Sequence, residues 1–125
     1  MVRQINEDRL IIQKLVAEKN LMKKPFLEII SNRKIAKIPY SDIVYIESLS
    51  DYIRVNSTKD QIVSKEKISI LASRLPDIFL RIHRSFIINK ERIKSFSYDE
   101  VVLEDIILTI GRSYRKVVKE ALKCS

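Results

Sequence analysis

The sequence has one cysteine, one histidine, one glycine and no tryptophan in 125 residues. Each scarcity excludes something. Cys124, next to the chain end, has no second thiol to pair with, so no internal disulfide can staple the fold. Cys124 and His83 together fall short of the ~4 nitrogen or sulfur ligands of a structural zinc site. A single glycine, Gly111, leaves no glycine-rich phosphate loop. No apolar run approaches the ~18 residues that span a bilayer. Charges at Glu7, Asp8 and Arg9 precede any apolar stretch, so the N-terminus has no signal-peptide pattern. A cytoplasmic chain with no membrane partner, no metal and no cofactor is expected. Catalysis has little to build on. His83 lies between Arg81 and Arg84 rather than beside a carboxylate, and a triad composed from Ser85, His83 and Asp105 would rest on residue type alone. The chain reads as a non-enzyme.

What is present is apolar material and positive charge. Hydrophobic residues make up 46%, enough for the core of about one domain. Lysine and arginine number 24 against 16 acidic residues, a net charge of +8. The resulting pI of about 9.7 points to a polyanion partner. The excess is unevenly placed. Residues 79–98 carry Arg81, Arg84, Lys90, Arg92 and Lys94 against Glu91, and residues 111–125 carry Arg112, Arg115, Lys116, Lys119 and Lys123 against Glu120. Between them, residues 99–110 hold Asp99, Glu100, Glu104 and Asp105 and no base. If the two basic segments face one side, they form a single anion-binding surface.

Along the chain, Ile12, Leu15 and Val16 place a charged, weakly amphipathic helix over residues 4–23, ended by Pro25. Residues 1–25 read as a helical linker or the remnant of an upstream domain, dispensable for folding, and residues 26–125 as the functional domain. Short segments rich in Ile, Val and Tyr follow: 26–30, 33–38, 43–47, 52–57 and 61–64. Turn residues Ser31-Asn32, Pro39, Ser48 to Asp51 and Lys59-Asp60 separate them, as in a meander of half-buried strands. Ile68, Leu71, Ala72 and Leu75 share a helical face over 66–75, stopped by Pro76. Strands are expected again at 79–82, 86–88, 93–97, 101–103 and 106–110. A last helix carries Tyr114, Val117, Val118, Ala121 and Leu122 on one face, with Ser113 as N-cap. Gly111, at the strand-to-helix junction, suits a positive φ or a close backbone approach. The fold class is mainly β: elongated antiparallel sheets with short helices.

The segment Phe79 to Asn89 is the most informative. Leu80, Ile82, Phe86 and Ile88 can turn inward, while Arg81, His83, Arg84, Ser85 and Asn89 have the chemistry for phosphates and base edges. The same pattern also fits a solvated polar strand edge with His83 satisfied in the core. Two rival partners remain at this point. A basic module docking on an acidic protein should expose an apolar patch. A single-strand RNA binder should expose stacking aromatics, whereas most aromatics here fall at inward-looking strand positions, Tyr52 and Tyr114 excepted.

The core Arg81-x-His83-Arg84-Ser85-Phe86-x-x-Asn89 resembles the signature of the LytTR DNA-binding domain, the output domain of many bacterial response regulators. Ile43 to Ser48 followed by Asp51-Tyr52-Ile53 is similar to the family's strand–loop–strand, with Asp51 where the family has Asn. Lys67 to Leu75 resembles the helix before the signature. Ile107 to Tyr114 resembles its closing strand and Ser-Arg-Arg-Tyr turn, with Gly111 for the first Ser and Ser113 for the second Arg. The resemblance covers about residues 26–122. It implies an elongated antiparallel β fold that reads double-stranded DNA through three loops, around residues 49–52, around Arg84 and around Arg112 to Arg115. The candidate DNA contacts are then Asp51, Tyr52, Arg81, His83, Arg84, Ser85, Asn89, Arg112, Ser113, Tyr114 and Arg115. It also implies a transcription regulator of the two-component type, with an upstream receiver domain and a second copy on repeated half-sites as partners.

Overall fold

The computed structural model describes residues 25–123. The helix expected over residues 4–23, with its linker role, and Cys124 lie outside this range. Within it, ten strands form: β1 Phe26–Ser31, β2 Lys34–Pro39, β3 Ile43–Leu49, β4 Tyr52–Ser57, β5 Gln61–Ser64, β6 Phe79–His83, β7 Phe86–Asn89, β8 Ile93–Phe96, β9 Glu100–Leu103 and β10 Ile106–Thr109. Helix α1 spans Ile68–Ala72 and α2 Arg115–Lys123, and 3-10 turns occupy Tyr40–Asp42, Lys90–Arg92 and Arg112–Tyr114. The strands make three sheets, β1-β2, β5-β4-β3-β7-β6 and β10-β9-β8, with every pairing antiparallel. The mainly β class is thus as the alternation indicates.

The five-stranded sheet is covered on both faces. On one, Leu27, Ile29 and Ile38 of the β1–β2 hairpin and Ile68 and Leu71 of α1 pack on Ile46, Ile53, Val55 and Ile87. On the other, Val101, Leu103 and Leu108 of the three-stranded sheet and Val118 and Leu122 of α2 pack with Val44, Ile82 and Ile88. Successive strand residues point to opposite faces. That is why neighbours Ile87 and Ile88 are both buried, at 1% and 0% exposure.

Two helical expectations are corrected. The helix read over 66–75 is α-helical only over Ile68–Ala72. Beyond it the N–H groups of Ser73, Arg74 and Leu75 reach back three residues to Ile70, Leu71 and Ala72, and Ser73 Oγ donates to the Ile70 carbonyl at 2.7 Å. This tighter winding is common where a helix runs out. Ser113 does not cap α2. It sits inside a 3-10 turn that starts from Gly111, whose carbonyl accepts the Tyr114 N–H at 2.8 Å. Gly111 has φ −61°, so close approach and not a left-handed backbone explains it. A Cβ there would stand 3.0 Å from Tyr114 Cδ1 and 3.4 Å from His83 Cα.

Candidate nucleic-acid interface

The three predicted loops converge because of strand order. β3 lies between β4 and β7 and is antiparallel to both. The β3–β4 turn (Ser50-Asp51) and the β6–β7 turn (Arg84-Ser85) therefore leave the sheet at the same end. The Ser48 N–H donates to the Ser85 carbonyl at 2.9 Å and joins them. The third segment is clipped to edge strand β6 by the Gly111 N–H donating to the Ile82 carbonyl at 2.8 Å. His83 and Arg84 then share a cleft of about 380 Å³ with Gly111, Arg112, Ser113 and Tyr114.

The middle turn is stiffened from behind. Arg81 Nε donates to the His83 carbonyl at 3.0 Å and its Nη2 to the Arg84 carbonyl at 2.6 Å. Arg81 thus positions the turn that carries Arg84. A bulge between Arg81 and His83 re-aims the strand end. His83 Nδ1 accepts the Ser85 N–H at 3.0 Å, and its ring lies 5.0 Å from that of Phe86. In the neutral ring the proton then sits on Nε2, which makes no hydrogen bond among the described residues.

Among the described residues four cations are held in ion pairs: Arg54 with Glu47 at 2.8 Å, Arg74 with Glu66 at 2.8 Å, Arg92 with Glu104 at 3.3 Å and Lys59 with Asp42 at 3.8 Å. Arg84 and Arg112 are exposed and make no ion pair among the described residues. Asp51, Ser113 and Tyr52 are also exposed, Tyr52 at 46%. Burial pushes the phenols of Tyr45 and Tyr40 up; Glu47 adds to this at Tyr45 and Arg54 opposes it, while at Tyr40 Arg74 opposes and Glu28 adds. Both stay neutral near pH 7. Among the described residues no group of His, Cys, Asp or Glu is placed to hold a metal, and no helix is long and apolar enough to cross a membrane.

Other candidates are placed elsewhere. Asn89 is fully buried: its Nδ2 donates to the carbonyls of Ile43 at 2.9 Å and Tyr40 at 3.3 Å, and its Oδ1 accepts the Glu91 N–H at 2.9 Å. It belongs to the frame and not to the surface, because a side chain on a sheet covered on both faces has nowhere else to point. Arg115 leaves the cluster to lie over the Tyr98 ring, 4.7 Å from its centroid, and its Nε is buried without a hydrogen-bond partner. Tyr114 is half-buried against Gly111. The inward aromatic pattern fails at Phe96 and Tyr98, exposed at 48% and 72%. Ser50, inside the loop around residues 49–52, shapes the first turn with a φ of 63°.

Residues 33–123 match the model of the LytTr DNA-binding domain. Among curated proteins, the Sensory transduction protein LytT of Bacillus cereus is 28% identical over 96 residues, which cover 71% of this chain and 39% of the relative. The Sensory transduction protein LytR of Staphylococcus epidermidis is 24% identical over 126 residues, covering 94% and 50%. The Transcriptional regulatory protein LytR of Staphylococcus aureus strain N315 is 27% identical over 96 residues, covering 71% and 39%. The chain therefore spans half or less of the length of these relatives. A solved LytTr DNA-binding domain from Bacillus cereus shares the fold, with a TM-score of 0.67 at 24% identity over 79% of this chain and 97% of that one.

Proposed function

Because the chain belongs to the LytTr DNA-binding domain family, we propose that it binds double-stranded DNA sequence-specifically through the turn end of its central sheet, as the output part of a transcription regulator. The observation that carries this reading is the pair of exposed, carboxylate-free arginines, Arg84 and Arg112, on turns held by backbone bonds at one end of the molecule. An arginine fork fits guanine or a phosphate bidentately. The hydroxyls of Tyr52 and Ser113 and the Nε2–H of His83 add phosphate donors, which fix register and carry no sequence information.

The named relatives, sensory transduction and transcriptional regulatory proteins, support placing the domain in a two-component response regulator. An upstream receiver domain and work in the cytoplasm belong to the same proposal. Five strands about 4.8 Å apart make a reading edge of roughly 19 Å, or about six base pairs at ~3.4 Å each. One copy therefore reads a short site. Two copies on direct or inverted repeats, spaced by the ~10–10.5 base-pair helical turn, supply the remaining discrimination.

A protein-docking role draws support from one feature, the exposed Phe96 and Tyr98 beside a cleft of about 290 Å³ lined also by Ile110 and Val118. These aromatics sit on the β8–β9 hairpin and not in the turn cluster, so Tyr98→Ala should leave DNA binding unchanged. The test of the DNA reading is selection of duplexes from a random pool, followed by salt titration. Each neutralised phosphate should add a slope of roughly −0.9 in log K against log salt. No enriched sequence, or a slope near zero, would sink it.

A further inference from the structure

The tip of the β1–β2 hairpin carries chemistry that the three turns do not use. Its two-residue turn is Asn32-Arg33, closed by the Ser31–Lys34 pair. Both turn residues lie at positive φ, 53° and 65°. This is the two-residue hairpin geometry that selects Asn followed by Gly. Asn32 fits it. Arg33 occupies the glycine position and carries the steric penalty of a left-handed backbone on a side chain with a Cβ. Strain kept at a surface turn points to a use for the side chain that causes it. The directly opposed Ile30 and Ile35 hold the two strands together just behind the tip.

The tip also stands in the right place. β2 runs away from it to Pro39, the chain turns through Tyr40–Asp42, and β3 runs back to Leu49. The tip and the Ser50-Asp51 turn are therefore at the same end of the molecule. Ser31 and Asn32 share a cleft of about 600 Å³ with Tyr52, Ser64 and Lys65. Arg33, Lys34 and Lys65 are exposed and make no ion pair among the described residues. The hairpin packs on one face of the central sheet, and the core containing Ile110 and α2 covers the other. Facing layers lie about 10 Å apart. The row of turns thus has cations on both flanks: Arg112 on one, Arg33 and Lys34 on the other.

We propose that Arg33 and Lys34, with Lys65 beside them, clamp the phosphate backbone of duplex DNA outside the base pairs met by Arg84 and Arg112. The inference rests on the DNA-binding reading above. It assigns these residues a sequence-independent contact that lengthens the footprint on one side.

The decisive variant is Arg33→Gly, alone and with Lys34→Ala. Glycine relieves the positive φ, so the clamp predicts opposite changes in two readouts: a melting temperature equal to or above the parent's, and weaker DNA binding. The double variant should lose two phosphate contacts and show a salt slope less negative by roughly 1.8. Between ~0.1 and ~1 M salt, that difference is an affinity gap of about 60-fold that closes to none. The loss should be equal on selected and random duplexes, and should vanish on a duplex trimmed to the selected core. Unchanged slope and affinity in the double variant, with the parent binding normally, overturn the clamp. So does a lowered melting temperature in Arg33→Gly, which would make Arg33 structural. If the parent itself binds no duplex, the DNA-binding reading fails first and takes the clamp with it.

Discussion

Replacing Asn89 with alanine separates a structural role from a binding role at the centre of the signature segment. Asn89 ties the end of β7 to the chain entering β3 through its bonds to the carbonyls of Ile43 and Tyr40, and it caps the Lys90–Arg92 turn through the Glu91 N–H. Alanine leaves the Ile43 carbonyl and the Glu91 N–H without this partner, in a region with no exposure at residue 89. An unsatisfied buried polar group costs about 1–3 kcal/mol. Two such groups and the longer third bond make a loss of about 3 kcal/mol a fair expectation. At about 4–8 °C per kcal/mol for a domain near 100 residues, the melting temperature should fall by about 12–24 °C. Circular dichroism melts and urea titrations without DNA measure this, and the urea m-value should stay constant because the same surface is exposed on unfolding. DNA affinity, measured well below the transition where both proteins are folded, should not change. An unchanged melting temperature with weakened DNA binding would refute the reasoning and return Asn89 to the interface.

Arg84→Ala should lose about 1–3 kcal/mol on the selected duplex and much less on a random one, since a base contact discriminates; equal losses on both would reassign it to the phosphates. The exposed Lys119, on α2, gives the contrast, and Lys119→Ala should have a small, sequence-independent effect. Asp51→Asn removes a carboxylate from the reading edge and should tighten binding to any duplex, most at low salt, where like-charge repulsion is least screened. Weaker binding in that variant would mean that Asp51 accepts a hydrogen bond from a base. Tyr40 and Tyr45 have folded-state pKa values raised above 10.0 by burial. The protonated phenols are thus favoured by folding, so their contribution is complete below pH 10 and is lost as pH rises through the folded-state values. Their absorbance should titrate after that of denatured tyrosine.

Strand positions were legible because a half-covered strand alternates. β4 and β5 fall where the alternation of Tyr52 to Ser57 and Gln61 to Ser64 puts them. The same rule could not place Asn89. β7 is covered on both faces, so Phe86 to Asn89 is apolar or buried throughout and a polar residue there has no marked outward side. The membership of the three loops was legible from residue type and order, but their meeting was not, because it follows from β3 pairing with β7 some 40 positions along the chain. The stacking of Arg115 on Tyr98 is not legible for a similar reason: the two are separated in sequence, and Tyr98 lies on a hairpin whose alternation points it inward. For Gly111 the sequence allows a positive φ or a close approach, and the backbone φ together with the packing of Tyr114 and His83 selects the second.

Backbone amide chemical-shift mapping during titration with a selected duplex tests the central claim most directly. The largest changes should fall on residues 50–52, 83–85 and 111–114, with 32–34 next, while Asn89 and the Phe96–Tyr98 hairpin stay quiet. Changes concentrated on Phe96, Tyr98 and α2, with the turn end silent, would contradict a DNA interface at the end of the central sheet.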